Sequence, residues 1–148
     1  MNQQTLELEI NNFKEIGLYS GKYSNLEVSI HKHIEYANNL LIAEVDSCLD
    51  TDTFVAYTLL EECSSFFYWT DELQSDFLKS FDVSEIELDK FINFFNQYIN
   101  HNSIAKIVDL RNLKRVYQLF EPSFEDFEAA FVVESNEKKF LVYWDFTD

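Results

Sequence analysis

Apolar residues recur at spacings of three and four along most of this chain, and that rhythm predicts helices. Leu26, Ile30, His33, Ile34, Ala37, Leu41 and Val45 fall on one stripe, as the turn of an α-helix requires. At its start, Ser24-Asn25-Leu26-Glu27 sets a Ser three residues before a Glu, the spacing at which each side chain satisfies the other residue's free backbone N–H. A first helix is therefore predicted to run to about Cys48. Asp50-Thr51-Asp52 then supplies a turn and a fresh N-cap, and Val55, Leu59, Cys63, Phe66 and Phe67 form the next stripe.

Three more helices follow by the same reasoning. Thr70 precedes Asp71 and Glu72, acids suited to the partial positive charge of a helix N-terminus, and Leu73, Phe77, Leu78 and Phe81 make an apolar face. Ser84-Glu85-Ile86-Glu87 repeats the reciprocal capping spacing and leads into Leu88, Phe91, Ile92, Phe95 and Ile99, with Asn100-His101-Asn102 as the stop. Ile104, Ile107, Val108, Leu113, Tyr117 and Phe120 suggest a further helix, which ends before Glu121 because Pro122 forces its predecessor out of helical geometry.

Past Pro122 the pattern changes. Phe131-Val132-Val133 and Phe140-Leu141-Val142-Tyr143-Trp144 are rich in β-formers and flank the turn material Ser135-Asn136-Glu137, which predicts a C-terminal hairpin. An isolated hairpin is marginal, so it must pack on the helices or gain a third strand. Leu6, Leu8 and Ile10 alternate and could give that strand from residues 6–10. Leu6, Ile10 and Phe13 also stand at helical spacing with Gly17 as a stop, and the helical reading is preferred. The expected fold class is α+β, predominantly α-helical: a compact bundle of about five helices with a C-terminal β-hairpin.

Composition makes this one domain over residues 1–148, because the chain is 17% aromatic and a disordered acidic chain would not carry so much surface to hide from water. With only 2 Gly and 1 Pro there is little from which to build linkers. Cys48 and Cys63 read as buried reduced thiols. The first ten residues lack a signal-peptide pattern and no apolar run approaches the length of a membrane span, so the expected location is the cytoplasm. The net charge of -16 disfavours direct binding to nucleic acid or anionic membranes and favours a basic partner.

Catalytic and metal chemistry find little support. Gly17 and Gly21 are the only glycines, so no phosphate-binding loop or nucleophile elbow can be written. Asp50, Asp52 and Glu61 imitate a calcium loop, but Phe54 and Val55 stand where an oxygen donor and a Gly are needed. His31-Lys32-His33 is read as helical, where residues two apart do not share a face. No metal, no cofactor and no enzyme activity are expected. Both cysteines have acidic neighbours, which disfavour a thiolate.

The charge pattern is the remaining signal. Between Lys32 and Lys79 there is no Lys or Arg, yet Glu35, Glu44, Asp46, Asp50, Asp52, Glu61, Glu62, Asp71, Glu72 and Asp76 fall there. Tyr57, Tyr68 and Trp69 share the window and are residue types that anchor interfaces, although an aromatic at helical spacing is more often core. Basic residues concentrate at Lys106, Arg111, Lys114 and Arg115. The residues expected to meet a partner are Asp50, Asp52, Tyr68, Trp69, Asp71 and Glu72, at predicted helix ends inside the acidic window.

In size, charge and aromatic content over its whole length, the sequence resembles the immunity proteins of bacterial toxin systems, such as those of contact-dependent inhibition, polymorphic toxins and nuclease bacteriocins. That resemblance implies one-to-one binding that blocks a cognate toxin, commonly a nuclease with a cationic cleft. Two other readings stay open: a nucleic-acid mimic that inhibits a DNA-binding enzyme, and a small thiol enzyme or ligand-binding domain using Cys48 or Cys63 with a histidine.

Overall fold

In a computed structural model of the chain, described over residues 1–16, 26–35, 38–62, 79, 81–100, 103–120 and 128–146, the centre is a sheet. The elements run α1 (Gln3–Ile16), β1 (Ser29–Glu35), β2 (Asn38–Asp46), α2 (Thr51–Glu62), β3 (Ser84–Ile86) and α3 (Leu88–Phe94). Helix α3 widens into a π-turn over Phe95–Ile99, and 3-10 turns cover Ser103–Ile107 and Leu110–Asn112. Strands β4 (Leu113–Gln118), β5 (Glu128–Ser135) and β6 (Lys138–Phe146) complete the order. All six strands are antiparallel to their neighbours in the order β1-β2-β6-β5-β4-β3.

Both faces of that sheet are covered, and this explains the sequence pattern. On one face Leu41, Ala43 and Val45 of β2, Leu141 of β6, Ala130 and Val132 of β5 and Tyr117 of β4 pack against Leu6, Ile10 and Phe13 of α1 and Phe54, Val55 and Leu59 of α2. On the other, Leu40 and Ile42, Phe140 and Val142, Phe131 and Val133, and Val116 meet Phe91, Phe95 and Ile99 of the α3 segment. The Phe131 ring lies 5.1 Å from both Phe91 and Phe94, and Trp144 5.8 Å from Phe94 and 5.5 Å from Tyr98. Each such pair adds about 0.5 to 1.5 kcal/mol beyond simple burial. Much of the aromatic content is therefore spent inside.

The expected bundle of about five helices is corrected by this sheet: the chain is α+β and not predominantly helical. Residues 29–46 form strands β1 and β2, not a helix; β2 is covered on both faces over residues 40–43 and so shows an apolar run in place of the polar alternation that marks a strand. Residues 103–120 form two short 3-10 turns and β4, not a helix. The reciprocal capping pair at Ser84 and Glu87 is also not realised. Ser84–Ile86 is an edge strand, and Glu87 precedes α3 without a side-chain cap. Residues 6–10 belong to helix α1 and supply no third strand. The hairpin after Pro122 exists, with Ser135 Oγ accepting from Lys138 N at 3.1 Å, but its strands are central members of the sheet. The helix expected from Thr70 falls on residues outside those described, apart from Lys79 and Phe81.

The cap expected at Asp50 is present at α2, and α1 has one not expected from the sequence. Asn2 Oδ1 accepts from Thr5 N at 2.9 Å, and Asp50 Oδ2 from Thr53 N at 3.0 Å, so each helix has a polar side chain on a free N–H. The two helices run side by side in the same direction, since Thr5 meets Asp52, Glu9 meets Thr53 and Phe13 meets Tyr57. Both partial positive N-termini consequently lie at one end of the molecule.

Candidate functional site

That end also collects the carboxylates at the C-terminal end of β2 and the β5–β6 turn. Lys139, opposite Val45 in register, sends its Nζ to Leu49 O at 2.6 Å and Thr51 Oγ1 at 2.8 Å, and Thr51 Oγ1 donates to Glu134 at 2.7 Å. Ser47 N donates to Glu137 O at 3.0 Å and Ser47 Oγ to Asn136 O at 3.1 Å. The loop entering α2 is thus fastened to the β5–β6 turn. Glu44, Asp46, Asp50, Asp52, Glu134 and Glu137 are brought to the same end of the sheet.

An open cavity of about 420 Å³ lies beside this loop, with Glu44, Asp109, Glu137 and Lys138 on its walls and Ile107 and Phe140 as its apolar part. Asp109 accepts from Arg111 N at 3.0 Å, Arg111 Nε at 3.1 Å and Asn112 Nδ2 at 2.8 Å. The Arg111 side chain first, then its backbone N–H and Asn112, hold the Asp109 carboxyl below the usual range. Asp46 accepts from Cys48 N at 2.9 Å, and that hydrogen bond lowers it as well. Both stay ionised at neutral pH. With three carboxylates against Lys138, and Ile107 and Phe140 as apolar wall, the cavity can take a cationic group with an aliphatic stem.

The partner-binding residues expected from sequence divide into two groups. Asp50 and Asp52 lie at this end, but both are engaged in holding the fold. Asp50 caps α2, and Asp52 Oδ1 accepts from Thr5 Oγ1 at 3.0 Å. Burial pushes the Asp52 carboxyl up. Tyr68, Trp69, Asp71 and Glu72 lie outside the described residues. Glu44, Asp109 and Glu137 were missed because they are far apart in sequence and meet only once β1, β2 and the hairpin are paired; the excess of acid around residues 44–52 was the available signal. Of the basic run, Arg111 offsets Asp109 on the cavity wall, and Arg115 Nε meets Glu85 at 3.4 Å.

The other candidate chemistries fare differently. Cys48 is exposed, not buried as expected, and Asp46 beside it raises its thiol by hydrogen bond and by charge, so it is a weak nucleophile at neutral pH. Cys63 lies outside the described residues. The apparent calcium-loop acids Asp50 and Asp52 serve the helix N-terminus. Among the described residues no three His, Cys, Asp or Glu side chains converge to hold a metal ion, and no helix is long and apolar enough to cross a membrane. His31 and His33 stand on strand β1, where residues two apart share a face, so the ground on which the pair was set aside does not hold.

At the opposite end of the sheet Asn39 Nδ2 donates to Asp145 Oδ1 at 2.6 Å and the Tyr143 hydroxyl to Glu128. Glu128 and Asp145 are direct cross-strand partners. This row was invisible in the sequence because register between strands is not written in either strand alone. No family model, no curated protein and no solved structure matches the chain.

Proposed function

We propose that the chain is an inhibitory binding protein of the immunity type, which neutralises a toxin with a cationic cleft by occupying that cleft. The observation that supports this reading most is the cavity where Glu44 and Glu137 stand with Asp109, itself paired with Arg111, against the single lysine Lys138, at the end of the sheet where Asp46, Asp50 and Asp52 also gather. Carboxylates held there can stand where a nucleic-acid substrate would put its phosphates, and opposed fields speed encounter. Binding would need no catalytic group on this chain.

The test is capture of partners on the immobilised full-length chain from its native host, followed by association kinetics with the protein recovered. A partner with a basic cleft should be retained at low salt. Its association should slow steeply as salt rises from about 0.01 to 0.1 M, because the screening length falls from about 30 to 10 Å. Glu44→Lys together with Glu137→Lys should lower the association rate, whereas reversal of an acid at the far end, Glu128→Lys, should leave it nearly as it was. A salt-independent rate, or equal effects at both ends, would refute the reading.

A further inference from the structure

We propose that the cavity beside the β5–β6 turn seats the side chain of one arginine of the partner, as an anchor of that interface. The inference rests on the proposed function and names the group that the partner would present. Glu44 and Phe140 are direct partners across β2 and β6, so a carboxylate and an aromatic ring stand side by side on one face of the sheet. Ile107 and Asn112 close the cavity from the two 3-10 turns, and Glu137 from the hairpin. At about 420 Å³ the cavity falls within the roughly 300 to 1,000 Å³ of ordinary ligand sites.

The walls are held before anything enters. Glu137 O accepts from Ser47 N at 3.0 Å and Ser135 Oγ from Lys138 N at 3.1 Å, which fixes the hairpin turn. His31 Nε2 lies 3.4 Å from Glu44 Oε1, and 23% of the Glu44 side chain still reaches solvent. Asp109 is engaged by Arg111 and Asn112, which leaves Glu44 and Glu137 to receive a cation, with Lys138 opposing them. An arginine suits that division. Its aliphatic stem can lie on Ile107 and Phe140 while the planar guanidinium offers five N–H donors to carboxylates on separate walls. A lysine ammonium has three donors and holds its water more strongly, so it gains less on entry. Walls that are already rigid spare ordering entropy, and a single seated arginine can then carry much of an interface.

The experiment is an NMR titration of the full chain with N-acetyl-arginine methylamide as probe, at about 0.15 M salt, where screening within about 8 Å removes the pull of distant carboxylates. Saturable shifts in the millimolar range should centre on the Ile107 methyls and the Phe140 ring. The citrulline analogue, of nearly the same shape but uncharged, should give none at these concentrations, and the lysine analogue should bind more weakly. Glu44→Gln and Glu137→Gln should each weaken the arginine probe by about three- to fivefold, whereas Lys138→Gln should tighten it by a similar factor. Damage to the fold cannot produce that opposite pair of signs. Shifts spread over the whole acidic surface, equal binding of the citrulline or lysine analogue, or the same sign at Glu44 and Lys138 would overturn the proposal. The two failures are distinguishable: a partner whose association rate ignores salt removes the proposed function whatever the probe does, whereas a probe that does not bind, beside a salt-dependent partner, removes only the arginine anchor.

Discussion

Val132 and Val133 are neighbours in β5, both with 0% of their surface exposed, yet they belong to different apolar clusters. Truncating either to Ala removes two methyl groups, at about 0.8 kcal/mol each. A residual void of roughly 40 Å³, at about 24 cal/mol per Å³, adds up to about 1 kcal/mol. Val132→Ala and Val133→Ala should therefore each cost about 2 kcal/mol. The two clusters have no residue in common, so the double variant should lose about 4 kcal/mol, the sum of the two. Urea unfolding is the assay: the midpoint should fall by equal steps with the slope unchanged. In a chain of 148 residues each single change should lower Tm by about 4 to 8 °C. If one of the two variants unfolds like the parent, that side of β5 is open to water and the layer of helix assigned to it is misplaced.

Other expectations follow from individual contacts. Lys139→Met removes the donor to Leu49 O and Thr51 Oγ1 and should cost about 2 kcal/mol in urea unfolding; unchanged stability would mean that the link from β6 to the start of α2 is idle. Asp109 and Asp46 titrate below the ordinary carboxylate range in the folded chain, so the stability they give is present above that range and is lost as pH falls through their lowered values. Asp52 is raised by burial, so the penalty on its charged form is present at neutral pH and relieved as pH falls through its raised value. Thermal unfolding followed from about pH 7 to 3 should accordingly lose part of its acid-side slope in Asp109→Asn, whereas Asp52→Asn should be no less stable at neutral pH than the parent. Alkylation of Cys48, mapped by mass spectrometry at neutral pH, should be slower than that of a free cysteine and should speed up several-fold in Asp46→Asn.

The helical rhythm misled in a way that has a physical cause. A spacing of four, as from Ile30 to Ile34, nearly completes a helical turn and also returns a strand to the same face, so it cannot separate the two periods. Polar alternation would separate them, but Leu40-Leu41-Ile42-Ala43 is covered on both sides and has none. β-branched content at Ile30, Ile34, Ile42 and Val45 was the signal left to use. Where one face meets water, as in α1 with Leu6, Ile10 and Phe13, the periodicity and the structure agree. The end of the molecule that carries the carboxylates was legible only as an unbroken charge window. Its walls come from β2, the turn at residues 107–112 and the β5–β6 turn, and bringing those together is a property of strand order.

Strand β6 sits between β2 and β5, yet it is the last of the six to be synthesised. Until it arrives, the N-terminal pair β1–β2 and the later group β3–β4–β5 each present a bare hydrogen-bonding edge of apolar residues, and no local contact can join them. Such distant pairing makes for slow folding and leaves sticky edges exposed on the ribosome. A chain interrupted before Lys138 would keep both edges unpaired, and self-association through them is the fate to expect of it.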